Sequence, residues 1–241
     1  MCTNPTGCDC GPNTTCNGCY WNKKSKKRGE KKWIKKNGLK KEKMELVVLM
    51  QQLGLNPYKT NIDLWEEKTG RKEAIDISDK PYVKYGTEAE EYLRELFKLD
   101  FPEYEVSHEE NTIIKHKEYP FLFASLDGQL VNKETGELGI LEIKTTNILQ
   151  SMQKEKWKDK IPDNYYCQIL HYLNVTGYSF VVLKAQLKYD YDGDIRLETK
   201  HYKIMREDVE EDIKLLVEKE IEFWTKYVET DKRPPLLLPE I

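Results

Sequence analysis

Apolar residues recur along this chain in two periods, and the periods separate strands from helices. Two apolar runs, Phe121–Val131 and Leu138–Thr146, flank the polar, glycine-containing stretch Asn132–Gly136. Runs of this length on either side of turn residues predict a β-hairpin. Upstream, Glu103–Lys115 alternates through Val106 and Ile113-Ile114 and predicts the strand that precedes the hairpin. Downstream, Tyr178–Lys188 predicts a β-rich strand, Tyr189–Asp194 an acidic turn with Gly193, and Ile195–Ile204 a polar edge strand.

Helical spacing accounts for most of the rest. Glu45–Leu53 reads as a short apolar helix ended by Gly54, Asn56-Pro57-Tyr58 as a turn, and Ile62–Lys68 as a second helix closed by Gly70. A third helix runs from Thr87 to about Leu99, with Glu90, Leu93 and Phe97 at i, i+3 and i+7. That spacing sets Glu90 at the border of the buried face and leaves Glu88, Glu91 and Glu95 in solvent. Thr87 with Glu90 three residues later also fits a capping box. Pro162 and Asp163 introduce a helix from about Asn164 to Thr176, stopped by Gly177. Its core stripe is Ile169, Tyr172 and Leu173, while Gln168, His171, Tyr172 and Val175 share another. Of these His171 is expected to pack rather than bind a ligand. Arg206–Val228 carries Val209, Ile213, Leu216, Val217, Ile221 and Trp224 at helical spacing, and Pro234-Pro235 ends the structure. Leu236–Leu238 is an apolar patch suited to docking on another subunit. No internal repeat is present. From the third helix onward the order α–β–β–β–α–β–β–α predicts an α/β fold with a central mixed sheet flanked by helices.

The predicted hairpin carries ionisable groups where strands favour apolar ones. Asp127 follows Ala-Ser-Leu, and Glu142 and Lys144 flank Ile143. Residues two apart on a strand share a face, so Glu142 and Lys144 point the same way. Such charges are costly unless they pair or hold a metal. The E-x-K spacing also occurs at Glu30/Lys32, Glu66/Lys68 and Glu198/Lys200. The first two lie in polar surroundings and the last in an alternating polar strand. Only Glu142/Lys144 combines an apolar strand with an aspartate on the strand before it. A strand-borne salt bridge is one reading. The other is a metal-dependent nuclease, because two carboxylates on adjacent strands can converge on one hard divalent cation. Such a cation activates water and neutralises phosphate charge, and a neighbouring lysine stabilises the anionic transition state.

Composition refines this. The chain has 241 residues, enough for one large domain or a domain plus an extension, with 39% hydrophobic and 34% charged residues. A net charge of -3 gives no global argument for nucleic acid. Local charge does: residues 22–43 are dense in lysine around Trp33, and Lys154–Lys160 alternates lysine with other residues. The first stretch is either a solvated run or a phosphate-contacting arm with an aromatic ring to stack on a base. The second is either an exposed helix or one flank of a DNA groove. Five of the six cysteines fall within the first nineteen residues, and Cys8, Cys10, Cys16 and Cys19 could hold zinc tetrahedrally. The alternative is an unstructured, thiol-bearing tail. The expected organisation is therefore a Cys- and Lys-rich extension over 1–43 and a catalytic domain over 44–241. No run approaches the roughly 20 apolar residues of a membrane span. No signal-peptide layout opens the chain. Both point to the cytoplasm.

An aspartate followed on the next strand by E-x-K resembles the PD-(D/E)xK nuclease superfamily. Asp127, Glu142 and Lys144 stand in its D…ExK positions, with Leu126 where the proline of the name would be. The run GLNPYKTNIDLWEEKTGRKE (Gly54–Glu73) resembles the N-terminal signature of the YqaJ-like viral recombinase family, exonucleases related to phage lambda exonuclease. Gly86–Glu90 fits that family's G-x-x-x-E run, and YYCQILHYLNVTG resembles its glutamine-bearing helix. The resemblance covers about Gly54 to Lys188 and implies a restriction-endonuclease-like core. It implies Mg2+ bound by Asp127, Glu142, the Ile143 carbonyl and Glu90, with Mn2+ able to substitute. It implies Lys144 as the group that orients the nucleophile, and Gln168 facing the site. It further implies 5′-to-3′ digestion of linear double-stranded DNA by a toroidal homo-oligomer, typically a trimer, partnered by a single-strand annealing protein. The related iron–sulfur nucleases do not fit, since they need cysteines after the core and nothing after Cys167 could serve. Two rivals stay open: an endonuclease or repair nuclease on the same fold, and a non-catalytic DNA-binding protein using the lysine arm and cysteine cluster.

Overall fold

The computed structural model describes residues 60–237 apart from 74 and 75. The five N-terminal cysteines, the lysine-rich arm with Trp33, the expected helix over 45–53, the turn at 56–58 and Leu238 lie outside the described residues.

Helix α1 (Asn61–Lys68) starts at Thr60, whose hydroxyl accepts the Asp63 N–H while the Asp63 carboxylate accepts the Thr60 N–H. This reciprocal cap satisfies two backbone donors that a helix start leaves exposed. Helix α2 (Pro81–Asp100) begins well before Thr87. Pro81 occupies the first helical position, where its missing N–H costs nothing and its fixed φ suits the helix. Thr87 is therefore interior, and the capping-box reading of Thr87 and Glu90 is overturned. Glu88, Glu91 and Glu95 are exposed, as expected.

The single strand expected over 103–115 is two short ones, β1 (Tyr104–Ser107) and β2 (Ile114–Lys115). Asn111, with φ of 58°, turns the chain between them. The first run of the hairpin also divides. β3 (Phe123–Ala124) pairs with β2, and only β4 (Gly128–Asn132) pairs with β5 (Leu138–Ile148). The hairpin is real, but Asp127 sits just ahead of its first strand.

After β5 come α3 (Ser151–Lys156) and α4 (Asp163–Thr176), which cross over to β6 (Phe180–Tyr191). Gly177, at φ of 70°, closes α4 in a left-handed conformation that glycine adopts without strain. The helix expected over the lysine alternation is short, and Trp157 beyond it is buried. β5 and β6 are parallel, and β7 (Asp194–Met205) returns antiparallel at the sheet edge. Strand order is β1-β4-β5-β6-β7. The last expected helix is a 3-10 turn (Arg206–Val209), α5 (Glu210–Phe223) and a π-helical turn (Trp224–Val228).

Helices flank the mixed sheet on both faces. On one, Ile140, Leu183, Ala185 and Leu187 pack against Ile169, Leu170 and Leu173 of α4 and Ile213 and Leu216 of α5. On the other lies α2, where the Tyr85 hydroxyl donates to Gln186 Oε1 at 2.7 Å. Gly86 makes this approach close: a Cβ there would meet Thr145 Oγ1 at 3.2 Å. Among the described residues no helix is long and apolar enough to cross a membrane.

Candidate active site

The last β4–β5 partners are Gly128 and Leu141, so β5 runs on past the end of β4. Asp127 steps into the gap, its Oδ2 accepting the Ile143 N–H at 2.7 Å. A strand residue projects N–H and C=O from the same edge, which places the Ile143 carbonyl beside Asp127. Glu142 and Lys144 share the face of β5 that looks toward α4. Lys144 Nζ donates to Glu142 Oε1 and lies 5.6 Å from the centroid of the Tyr165 ring. From α4, Gln168 Nε2 donates to the Tyr172 hydroxyl at 2.9 Å.

Electrostatics set this cluster apart. The Glu142 side chain is only 2% exposed, and its Oε2 has no hydrogen-bond partner among the described residues. Burial, opposed by Lys144 and reinforced by Asp127 and Glu90, pushes the Glu142 carboxyl up to about 8. Burial likewise raises Asp127, against the pull of Lys144 and with the Glu90 charge adding to the rise. Burial alone would lower Lys144, but Glu142 and Asp127 outweigh it and hold the ammonium above the ordinary lysine value. Burial and the Glu142 charge also raise the Tyr172 phenol.

Glu90 stands on α2 with its Oε1 3.0 Å from Arg94 Nη1. Its charge reaches both buried acids, yet among the described residues no three His, Cys, Asp or Glu side chains form a metal-ligand cluster. The structure thus brings Asp127, Glu142, Lys144 and the Ile143 backbone together, with Glu90 held next to them by Arg94. A divalent cation fits the Asp127–Glu142 pair on two grounds. The pair has a buried oxygen with no partner, and burial raises both carboxyls, with the Glu90 charge adding to the rise at each and the Asp127 charge adding to it at Glu142. Both are relieved by a cation.

The YqaJ-like viral recombinase domain model matches residues 49–179, more than half of the chain. The chain belongs to this family. It is 30% identical over 188 residues to the uncharacterized protein YqaJ of Bacillus subtilis (strain 168), covering 76% of this chain and 53% of that one. The chain therefore spans about half the length of the curated relative it matches. An alkaline exonuclease (LHK-Exo) from Laribacter hongkongensis aligns with a TM-score of 0.48 at 17% identity, over 80% of this chain and 96% of that chain. LHK-Exo in complex with dAMP aligns with a TM-score of 0.47 at 18% identity, over 78% and 95%.

Within the YqaJ-like domain three side chains escaped sequence reasoning. Tyr165 and Tyr172 face the site from α4; the sequence sets Tyr172 on the core stripe as well as on the stripe of Gln168, and a phenol there carries no signal of its own. Arg94 is buried, and it also donates to the Asp127 backbone carbonyl. In sequence Glu90 and Arg94 are an ordinary i,i+4 helix pair. His171 packs as expected: Nδ1 lies 2.7 Å from Glu220 Oε1 and Nε2 2.9 Å from the Phe123 carbonyl.

Proposed function

We propose that this protein is a magnesium-dependent exonuclease that digests linear duplex DNA 5′-to-3′ in phage-type homologous recombination. The observation that carries the reading is the buried Glu142 carboxylate, one oxygen unpartnered, between Asp127 and Lys144 in a recombinase-family domain. Glu220 also keeps an unpartnered oxygen in its pair with His171, so what sets Glu142 apart is that oxygen together with a second acid, Asp127, and the Lys144 ammonium.

Asp127 and Glu142, with the Ile143 carbonyl, are the groups that would hold the cation, and Glu90 adds negative charge from α2. When bound, magnesium supplies acidity to water and neutralises charge on the phosphate. Lys144, kept protonated by its carboxylate neighbours, donates to the attacking water or the phosphate and stabilises charge that develops there. The water gives up a proton to solvent as its oxygen bonds to phosphorus, the P–O3′ bond breaks and the departing oxygen takes up a proton from solvent. Gln168, tethered to Tyr172, orients water or phosphate. The exposed Lys154, Lys156, Lys158 and Lys160 follow β5 and supply phosphate contacts for the duplex.

The finer parts of the proposal are Mn2+ as a substitute metal, a trimeric ring around DNA, a single-strand annealing partner, zinc at the N-terminal cysteines and action in the cytoplasm. The deciding experiment is digestion of linear duplex labelled at one end, with and without magnesium, beside a covalently closed circle. Metal-dependent loss of the linear label from the 5′ strand, with the circle spared, is expected. A cut circle would favour an endonuclease. DNA binding with no cleavage at any metal concentration would leave a non-catalytic binder.

A further inference from the structure

Arg94 is 8% exposed on α2, one helical turn beyond Glu90. Its Nη1 donates both to Glu90 Oε1 and to the backbone carbonyl of Asp127. One nitrogen thus joins the helix on one face of the sheet to the residue just ahead of β4. A guanidinium is always charged, so its burial is tolerated only where acceptors meet it. An i,i+4 pair formed for helix stability needs neither burial nor a carbonyl thirty-three residues away.

We infer that Arg94 is a positioning residue for the proposed hydrolysis. It fixes Glu90 and the Asp127 backbone relative to each other, so that the Asp127 carboxylate stays on Ile143 N–H and next to Glu142, ready for a divalent cation. The inference rests on the nuclease reading for its purpose. Two effects of Arg94 on a cation have opposite signs. As a nearby positive charge it repels the ion, and its removal would tighten binding. As a brace it holds the ligands in place, and its removal weakens binding.

The test uses the full chain with Arg94→Met and Arg94→Lys. Mn2+ binding is read by calorimetric titration, digestion of linear duplex by rate, duplex affinity in chelator, and the folded state by circular dichroism. Arg94→Met is expected to bind Mn2+ about ten-fold more weakly and to lose about 100-fold in kcat, with KM and duplex affinity little changed. Arg94→Lys keeps a charged donor and is expected to recover part of both. Mn2+ affinity equal to or tighter than wild type in Arg94→Met would overturn the inference. So would equal losses in both variants that merely track loss of folded protein. If wild type digests nothing while Arg94→Met still weakens Mn2+ binding, the nuclease reading fails and the positioning role stands.

Discussion

Glu142 and Lys144 lie two residues apart on β5, as Glu198 and Lys200 do on β7. Both pairs sit in the same sheet and both are cross-linked, yet their surroundings differ. Glu198 is 39% exposed on an edge strand, 3.8 Å from Lys200. Its Oε2 accepts from the Tyr189 hydroxyl at 2.8 Å, and Lys200 also donates to the Trp157 carbonyl at 2.7 Å. Each β7 charge has another partner as well as water. On β5, by contrast, Glu142 is buried with an oxygen to spare, and a second acid arrives from the residue before the neighbouring strand. The spacing is the same. What separates a candidate site from a surface ion pair is desolvation left uncompensated, together with a converging aspartate.

The largest expected effect breaks the β5 side. Asp127→Ala or Lys144→Ala should reduce magnesium-dependent digestion by about 10³-fold while duplex binding persists, as read by label release and by binding in chelator. Wild-type rates in Lys144→Ala would refute the assigned site.

The next effect is on stability. In the folded, cation-free chain Glu142 titrates at about 8, against an ordinary 4.5. Between those values the folded state holds a proton that the unfolded state has released, so stability falls as pH rises from 4.5 to 8. Glu142→Gln removes that slope. With chelator present, its Tm at pH 8 should exceed that of wild type by about 5 °C or more, and the difference should vanish near pH 4. A magnesium-induced rise in Tm should be present in wild type and much reduced in Glu142→Gln.

A smaller effect is expected at Gln168→Ala, which should lose about ten-fold in rate at unchanged Tm, since it supports groups that react rather than reacting itself. Smallest of all is the β7 side. Glu198→Gln or Lys200→Met should leave digestion unchanged and shift stability by less than about 1 kcal/mol in chemical denaturation. A large loss of activity there would erase the contrast between the two pairs.

Much of this arrangement was legible in the residues. The β4–β5 hairpin, α4 with its Gly177 stop, the return of β6 into β7 and the shared face of Glu142 and Lys144 all follow from local periods and turn residues. The misses have local causes too. Asn111 in a left-handed conformation and the early end of β3 interrupt runs that look continuous. Pro81 starts α2 far ahead of the Thr87–Glu90 pattern. Arg94 escaped because its second acceptor, the Asp127 carbonyl, is remote in sequence.

By itself, then, the sequence determined which charges stand on strands, which of them share a face, and which family motifs they fill. Those are properties of spacing, and spacing is carried by the chain alone. Only the tertiary structure decided that β4 begins no earlier than Gly128 and so bares the edge of β5, that α2 brings Glu90 and Arg94 to Asp127, and that Glu142 loses its water. Desolvation is a sum over neighbours drawn from distant segments, and no local pattern contains that sum.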